Sequence, residues 1–420
     1  MVCFSSYILA DTFFIANALG SNGLAALNFS IPIFSLLQGF GLMIGIGGAT
    51  KYTILKSKGE DHEANSIFTL SLIAGFFIAV FFVAIGVFFT TPLAKMLGAD
   101  ADTLPLAAPY IQTVLYFSPF FMLSSILTAF IRNDDNPKLA MSAMVTGSLS
   151  NIVLDYIFLF PLSMGMFGAA LATGLSLVLG VCVLSLHFWK KKNKFGLYKC
   201  KIQIWKIMDF SLLGSSALIS ELSFAIVLIA FNLVILKIEG NIGVAAYGIV
   251  ANIAFVALLI FTGVAQGIQP LISKGYGTSD NVLVEQILKY AIALVLLLAF
   301  AIYGILNLYS TVIVAAFNSE ADTTLALLAA NGIRVHFIGL IFAGVNIVAA
   351  AFFSAIANAK TALIIATLRS GVLIIPAVII LSTILKMDGV WISFVLTELI
   401  VSVLSIIFFI KNSIYIEQLN

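Results

Sequence analysis

Four polar side chains in otherwise apolar stretches have the types and spacing to hold a small cation: Asp11, Asn151, Asp155 and Thr173. Asn151 and Asp155 are four residues apart, so they share one face of a helix. At a helical rise of about 1.5 Å per residue, Asp155 lies about 9 Å inward from Pro161, and Thr173 about 9 Å inward from Phe167 on the next, antiparallel helix. On the same measure Asn151 is about 15 Å deep and Asp11 about 13 Å below Gly20. All four therefore fall at similar depth in the outer half of the N-terminal part of the chain. Two carboxylates, an amide oxygen and a hydroxyl form an oxygen-rich set that suits Na⁺, or a proton held on a carboxylate. The competing reading is a hydrogen-bonded polar knot that only fixes helix packing.

A second set lies further along. Glu221, near the middle of a long apolar segment, is placed to meet a cationic substrate or a proton, unless Arg334 neutralises it as a fixed ion pair. Gln38 is a further candidate substrate contact. Arg369 and Glu398, on neighbouring segments, read as a structural pair. His336 could titrate near neutral pH, although a hydrogen-bonded helix histidine is the commoner case. His62 and His187, in or beside loops, are assigned no role. Signals for enzymatic chemistry are missing: His62-Glu63 lacks the second histidine of HExxH, and neither GxSxG nor a GK[ST] phosphate loop occurs. Cys3, Cys182 and Cys200 are scattered and make neither a disulfide framework nor a metal cluster. No cofactor is expected.

These residues must be positioned by membrane helices. The chain has 420 residues, 61% hydrophobic and 10% charged, with a mean hydropathy of +1.14. A soluble domain is about 45–50% apolar and about 25% charged, so the excess here cannot be buried in one water-soluble core. The apolar runs are continuous rather than alternating, which excludes a porin-type barrel. The expected fold is an all-α polytopic membrane protein with spans near 1–19, 24–50, 64–90, 106–130, 138–160, 166–189, 205–236, 242–272, 285–308, 324–356, 361–384 and 390–411. In and beside the even-numbered connections and the C-terminus there are 16 Lys and Arg, against 3 on the other side. The excess of basic residues marks the cytoplasmic side, so both termini are expected in the cytoplasm of a cell (inner) membrane protein. Residues 1–20 lack the basic start of a cleaved signal peptide. A net charge of +2 gives no basic field for nucleic acid.

The longest polar connection carries Lys190, Lys191, Lys192, Lys194, Lys199, Lys201 and Lys206. It is read as a cytoplasmic linker obeying the positive-inside rule, with anionic-lipid binding as the functional alternative. Membrane lipids are in any case a partner.

The chain also repeats itself. Gly20-x-x-Gly23-Leu24-Ala25-Ala26 recurs as Gly240-x-x-Gly243-Val244-Ala245-Ala246, and Ala101-Asp102-Thr103 as Ala321-Asp322-Thr323, both at an offset of 220. Ala129-Phe130 with Asn136 and Lys138 recurs 222 residues on, and Gly41-x-x-x-Gly45 returns as Gly263-x-x-x-Gly267, read as close helix packing. Six spans per repeat is an even number, so the repeats share one orientation about a pseudo-two-fold axis along the membrane normal. Two six-helix lobes follow, 1–200 (with the basic linker) and 201–420. A substrate cavity is expected between them, and a monomer suffices because one chain holds both. Subtracting 220 from the seventh span places its counterpart's start before Met1, so the first span is expected to lack its beginning.

At this point the chain resembles the multidrug and toxic compound extrusion (MATE) family of secondary transporters. The resemblance runs end to end and rests on Ala10-Asp11-Thr12 followed by Gly20 and Leu24-Ala25-Ala26; on Ile131-Arg132-Asn133 followed by Asn136-Pro137-Lys138; on Asn151-x-x-x-Asp155; and on Gly168-Ala169-Ala170-Leu171-Ala172-Thr173. It looks closest to the bacterial and archaeal branch with a cation site in the N-terminal lobe, and it implies that Asp11, Asn151, Asp155 and Thr173 form that site. Tyr7 matches a tyrosine four before the first-span Asp, and Glu221 an acidic position used by other branches. Tyr7, Gln38 and Glu221 are accordingly the expected substrate contacts. Where those branches carry a tenth-span Asp, this chain offers Asn331, Arg334 and His336, which argues against a Na⁺ site in the C-terminal lobe.

The implied function is export of amphipathic, often cationic drugs in exchange for H⁺ or Na⁺, by alternating access. The alternative is a lipid-linked oligosaccharide flippase of the same superfamily. A flippase calls for a cationic cavity, whereas only Arg334 and Arg369 are expected inside, against Asp11, Asp155, Glu221 and Glu398.

Overall fold

A computed structural model describes residues 2–317 and 322–417, with side chains for all of these except 2–9, 21, 225, 316–317 and 412–417. Among the described residues the chain is helical throughout, with no strand. The helices are α1 (Val2–Ser57), α2 (Asp61–Phe88), α3 (Thr90–Met96), α4 (Leu104–Tyr116), α5 (Ser118–Asn133), α6 (Pro137–Leu159) and α7 (Gly165–Trp189). After a linker come α8 (Ile204–Gly277), α9 (Asn281–Leu308), α10 (Ser310–Phe317), α11 (Thr323–His336), α12 (Gly339–Ala355) and α13 (Ala359–Thr367). A π-turn, Leu368–Val372, joins α13 to α14 (Ile374–Glu417).

Length dictates how these helices divide. At about 1.5 Å per residue, the 74 residues of α8 would run several times the ~30 Å hydrocarbon core if straight. The helix is instead broken at Gly240 (φ 63°, ψ −153°), as α1 is broken at Gly20 (φ 67°, ψ −157°) and α14 at Lys386 (φ 51°, ψ −127°). Conversely, α4 with α5 and α11 with α12 each make one span, bent by 48° and 49°. Dividing and joining at these places gives twelve spans, in agreement with the hydropathy reading.

The repeat is written in the backbone as well as in the residues. Left-handed positions recur in pairs: Gly20 (67°) with Gly240 (63°), Gly59 (79°) with Ser279 (58°), Asp135 (59°) with Ala357 (62°), and Gly165 (60°) with Lys386 (51°). The separations are those of the sequence repeat, 220 to 222 residues. Positive φ is a region L-residues rarely enter, so four matching pairs mark the same turns built twice. In only one pair does glycine occupy both positions.

Two compact units result, Met1–Leu222 and Ser223–Asn420, and their division falls inside α8. Each has its own core. In the first unit, one cluster gathers around Ile111, Phe121 and Ala169, and another around Tyr52, Phe68, Phe130, Phe195 and Phe210. In the second, Phe231, Phe261, Phe337 and Trp391 centre the larger cluster, and Phe352 and Phe353 the smaller. Apolar side chains also point outward, Phe76, Phe77 and Phe81 of α2 each more than half exposed. That distribution fits a hydrocarbon solvent rather than water.

Candidate functional site

The first unit brings the predicted cation set to three helices that pack on one another, α1, α6 and α7. Asp11 comes from α1, Asn151 and Asp155 from one face of α6, and Thr173 from α7. All are buried, Asp155 completely. The Asn151 amide Nδ2 donates to Thr173 Oγ1 at 3.4 Å, and that hydroxyl donates to the Ala169 carbonyl at 3.2 Å. The two carboxylates are near enough to interact electrostatically.

What the site lacks is internal answers. Asp11 Oδ1, Asn151 Oδ1 and both carboxylate oxygens of Asp155 are buried without a hydrogen-bond partner among the described residues. A hydroxyl has one donor and two lone pairs, so Thr173, after its two bonds, retains one acceptor direction. Burying an unanswered carboxylate is costly unless it is neutralised. These oxygens are available to a monovalent cation, or the carboxylates can take protons. The polar-knot reading accounts for Asn151 and Thr173, which bond to each other, but leaves the acids unexplained.

The candidate substrate contacts are placed differently. Gln38 is half-buried on α1. Its neighbour Gly39 lies against α8 so closely that a Cβ there would meet Leu218 and stand 3.4 Å from the Glu221 Cβ. Glu221 is half-buried in that stretch of α8, so Gln38 and Glu221 belong to one neighbourhood of the first unit. The Tyr7 side chain lies outside the described residues.

In the second unit the expected Arg369–Glu398 pair is present, with both carboxylate oxygens partnered. Arg369, on the π-turn, donates from Nε and Nη2 to Glu398 Oε1 at 3.2 and 2.8 Å. Asn346 Nδ2 donates to Glu398 Oε2 at 2.7 Å, and Ser405 Oγ donates to Asn346 Oδ1 at 3.1 Å. His336 is buried and stacked on Phe394, ring centroids 4.3 Å apart, with no partner at Nδ1 among the described residues. The hydrogen-bonded helix histidine expected there is therefore not what the fold contains at that atom. Arg334, expected inside, is exposed on α11. Asn331, also exposed, donates to Asp388 Oδ1 at 2.7 Å.

One constellation escaped sequence reasoning. Asp134, in the turn after α5, is buried, and its Oδ2 is met by His187 Nε2 at 2.8 Å and by the Lys194 backbone N–H at 2.8 Å. Tyr52 donates to its Oδ1 at 3.3 Å, and Asn136 contacts His187 Nδ1 at 3.2 Å. The signal available was a doubled acid, Asp134-Asp135, directly before Asn136-Pro137, with a histidine at the end of the sixth span.

A match to the MatE family model covers residues 1–157 and 217–380. The chain belongs to the MatE family. Like other MatE proteins it is a multi-pass membrane transporter, not an enzyme. Over 98% of its length it is 24% identical to the multidrug export protein MepA of Staphylococcus saprophyticus, covering 91% of that protein. A structure described as the outward-facing conformation of a multidrug resistance MATE transporter of the MOP superfamily superposes with a TM-score of 0.93 at 22% identity, over 99% of this chain and 93% of that one. A MOP-superfamily transporter from Pyrococcus furiosus superposes with a TM-score of 0.90 at 22% identity, over 99% and 92%. Its structure is described as having a binding pocket of reverse polarity that suggests a different function. At such identities the MatE fold is shared, and function has to be argued from the site.

Proposed function

We propose that this MatE protein is a cation-coupled antiporter that exports amphipathic, often cationic compounds from the cytoplasm by alternating access. The observation that carries the reading is the group of four buried oxygens on Asp11, Asn151 and Asp155 that have no partner among the described residues. An exporter must release its ion as well as bind it, so its acids cannot be permanently answered by protein groups. Inward-moving H⁺ or Na⁺ neutralises Asp11 and Asp155, with Asn151 and Thr173 completing the oxygen set. Neutralisation lets α1 and α6 repack and displaces the exported compound. Gln38, Glu221 and Tyr7 contact that compound. The substrate class is carried over from the MepA relative, a multidrug export protein.

The energetics suffice. One charge moved inward through 100 mV is worth about 2.3 kcal/mol, which supports a gradient of some tens-fold for an uncharged compound, whereas for a singly charged cation the two charges cancel and the concentration gradient of the coupled ion supplies the drive. The split of 16 basic residues against 3 supports cytoplasmic termini. One chain carrying both repeats supports a working monomer.

The test is efflux of a fluorescent organic cation from proteoliposomes under separately imposed H⁺ and Na⁺ gradients, wild type beside Asp155→Asn. Efflux driven by one gradient and lost in the variant establishes antiport and names the ion. No efflux under either gradient, from folded protein, overturns the exporter and puts the lipid-linked oligosaccharide flippase first.

A further inference from the structure

The linker between α7 and α8 is strapped onto one end of the first unit by its backbone. Lys194 N–H donates to Asp134 Oδ2 at 2.8 Å, Gly196 N–H to Asn65 Oδ1 at 3.1 Å, and Tyr198 N–H to Thr69 Oγ1 at 2.9 Å. The intervening Phe195 is buried among Tyr52, Phe68 and Phe130, and its ring stacks on His187. Alternate backbone donors thus face the protein over 194–198, and the strap has little freedom to move.

Because the backbone is fixed, so is what it turns outward. Lys190, Lys191, Lys192, Lys199 and Lys201 are exposed. Beside them stand Trp189 and Trp205, 83% and 80% exposed, with Leu197 and Ile204 also outward. Ammonium groups interleaved with bare indoles and aliphatic side chains make a surface with two chemistries, one for anions and one for hydrocarbon. Trp is the residue that settles at the boundary between headgroups and acyl chains.

The charge balance at this end argues further. Its exposed acids are already taken: Asp61 by Lys56, Glu63 by Lys206, Asp135 by Lys194 and Asp209 by Lys51. The Asp135 carboxylate holds the Lys194 ammonium above the ordinary lysine range through their hydrogen bond. Buried Asp134 is answered by His187 and the strap itself. Glu60 alone is left exposed here without a lysine, and the five outward lysines have no carboxylate partner among the described residues. Satisfying the positive-inside rule requires only that the lysines exist. It does not require all the neighbouring acids but Glu60 to be engaged elsewhere, nor the lysines to lie between two bare tryptophans.

We infer that the strap from Trp189 to Trp205 is a docking surface for anionic phospholipid headgroups, with the five lysines taking the phosphates and the two tryptophans anchoring at the acyl boundary. The inference rests on the chain spanning a bilayer, and holds whichever compound it exports. A lysine near an anionic lipid surface strengthens binding by up to about fivefold, and the contribution is screened by salt within a Debye length.

The full chain in phosphatidylcholine nanodiscs doped with dansyl-labelled phosphatidylglycerol gives a direct readout, energy transfer from the exposed tryptophans to the label. Transfer should exceed that to dansyl-phosphatidylcholine several-fold and fall with added salt. In K190Q/K191Q/K192Q/K199Q/K201Q it should drop to the phosphatidylcholine level, whereas K95Q/K237Q/K386Q should leave it unchanged. None of the five lysine side chains has a carboxylate partner among the described residues, and glutamine keeps the backbone bonds of Lys190, Lys191 and Lys192, so the variant should keep the wild-type unfolding temperature. Equal transfer to both lipids, or undiminished preference in the five-lysine variant, overturns the inference. Displacement of the labelled lipid by inorganic phosphate overturns it too, since that would mark a phosphate site rather than a lipid surface. The readout needs no transport, so its failure leaves the exporter reading intact and failed efflux leaves this one intact.

Discussion

The two units hold buried acids in opposite ways. In the first, Asp11 and Asp155 present oxygens that no described residue answers. In the second, Glu398 receives Arg369 on both oxygens and Asn346 on Oε2 as well, and Asn346 is itself fixed by Ser405. The same six-helix plan underlies both, since the same left-handed turns recur through both. The difference therefore belongs to the side chains and not to the scaffold. An acid whose partners are all protein groups is a fixture. On the antiporter reading proposed above, an acid left unanswered in an apolar interior is held for something that comes and goes.

Four measurements would break or sharpen this contrast. The largest effect is expected from Asp155→Asn, which should abolish gradient-driven efflux in proteoliposomes. Its unfolding temperature should be unchanged or raised, because the substitution removes a buried charge lacking a counter-ion. Next is Arg369→Met, which strands Glu398 in the interior with Asn346 alone. Detergent-phase denaturation should show a loss of about 3–5 kcal/mol, largely restored by adding Glu398→Leu. If Asp155→Asn destabilised as strongly as Arg369→Met, the two acids would be alike and the contrast would collapse.

Smaller effects test the repeated glycine pairs. A Cβ on Gly45 would stand 2.7 Å from the Ser125 carbonyl oxygen, whereas one on Gly267 meets nothing within 4 Å. Gly45→Ala should cost about 1–3 kcal/mol, while Gly267→Ala should stay within about 0.5 kcal/mol of wild type. Equal costs in the same denaturation assay would show that the GxxxG signature packs alike in both units. The smallest change is Lys386→Gly. Relieving a left-handed lysine should add about 1 kcal/mol, read as a rise in unfolding temperature.

Much of this was legible in the sequence, and what was not has a physical reason. Apolar run lengths and the offset of 220 residues gave the spans and the paired breaks at Gly20 and Gly240, because a turn needing positive φ selects glycine. The Arg369–Glu398 pair was readable because opposite charges on neighbouring spans have few other places to go. Asn151 and Asp155 followed from helical spacing alone. Arg334 was misplaced because a polar residue inside an apolar run does not disclose which face of the helix it occupies. Likewise Asp134 and His187 could not be paired, since 53 residues separate them and one of Asp134's donors is a backbone N–H on a linker whose path no periodicity encodes. The left-handed conformation at Lys386 was equally hidden, for its residue type advertises nothing about the turn it occupies.

Phe195 and Phe210 have a consequence for how the chain is made. Both are fully buried in the first unit's core, yet they lie in the linker and in the opening turns of α8. Synthesis proceeds from the N-terminus and domains fold as they emerge. A nascent chain that has delivered its first six spans still lacks two aromatic side chains of the cluster formed by Tyr52, Phe68 and Phe130. The first half becomes self-sufficient only after the seventh span has begun to leave the ribosome, so maturation of the earlier repeat waits on the start of the later one.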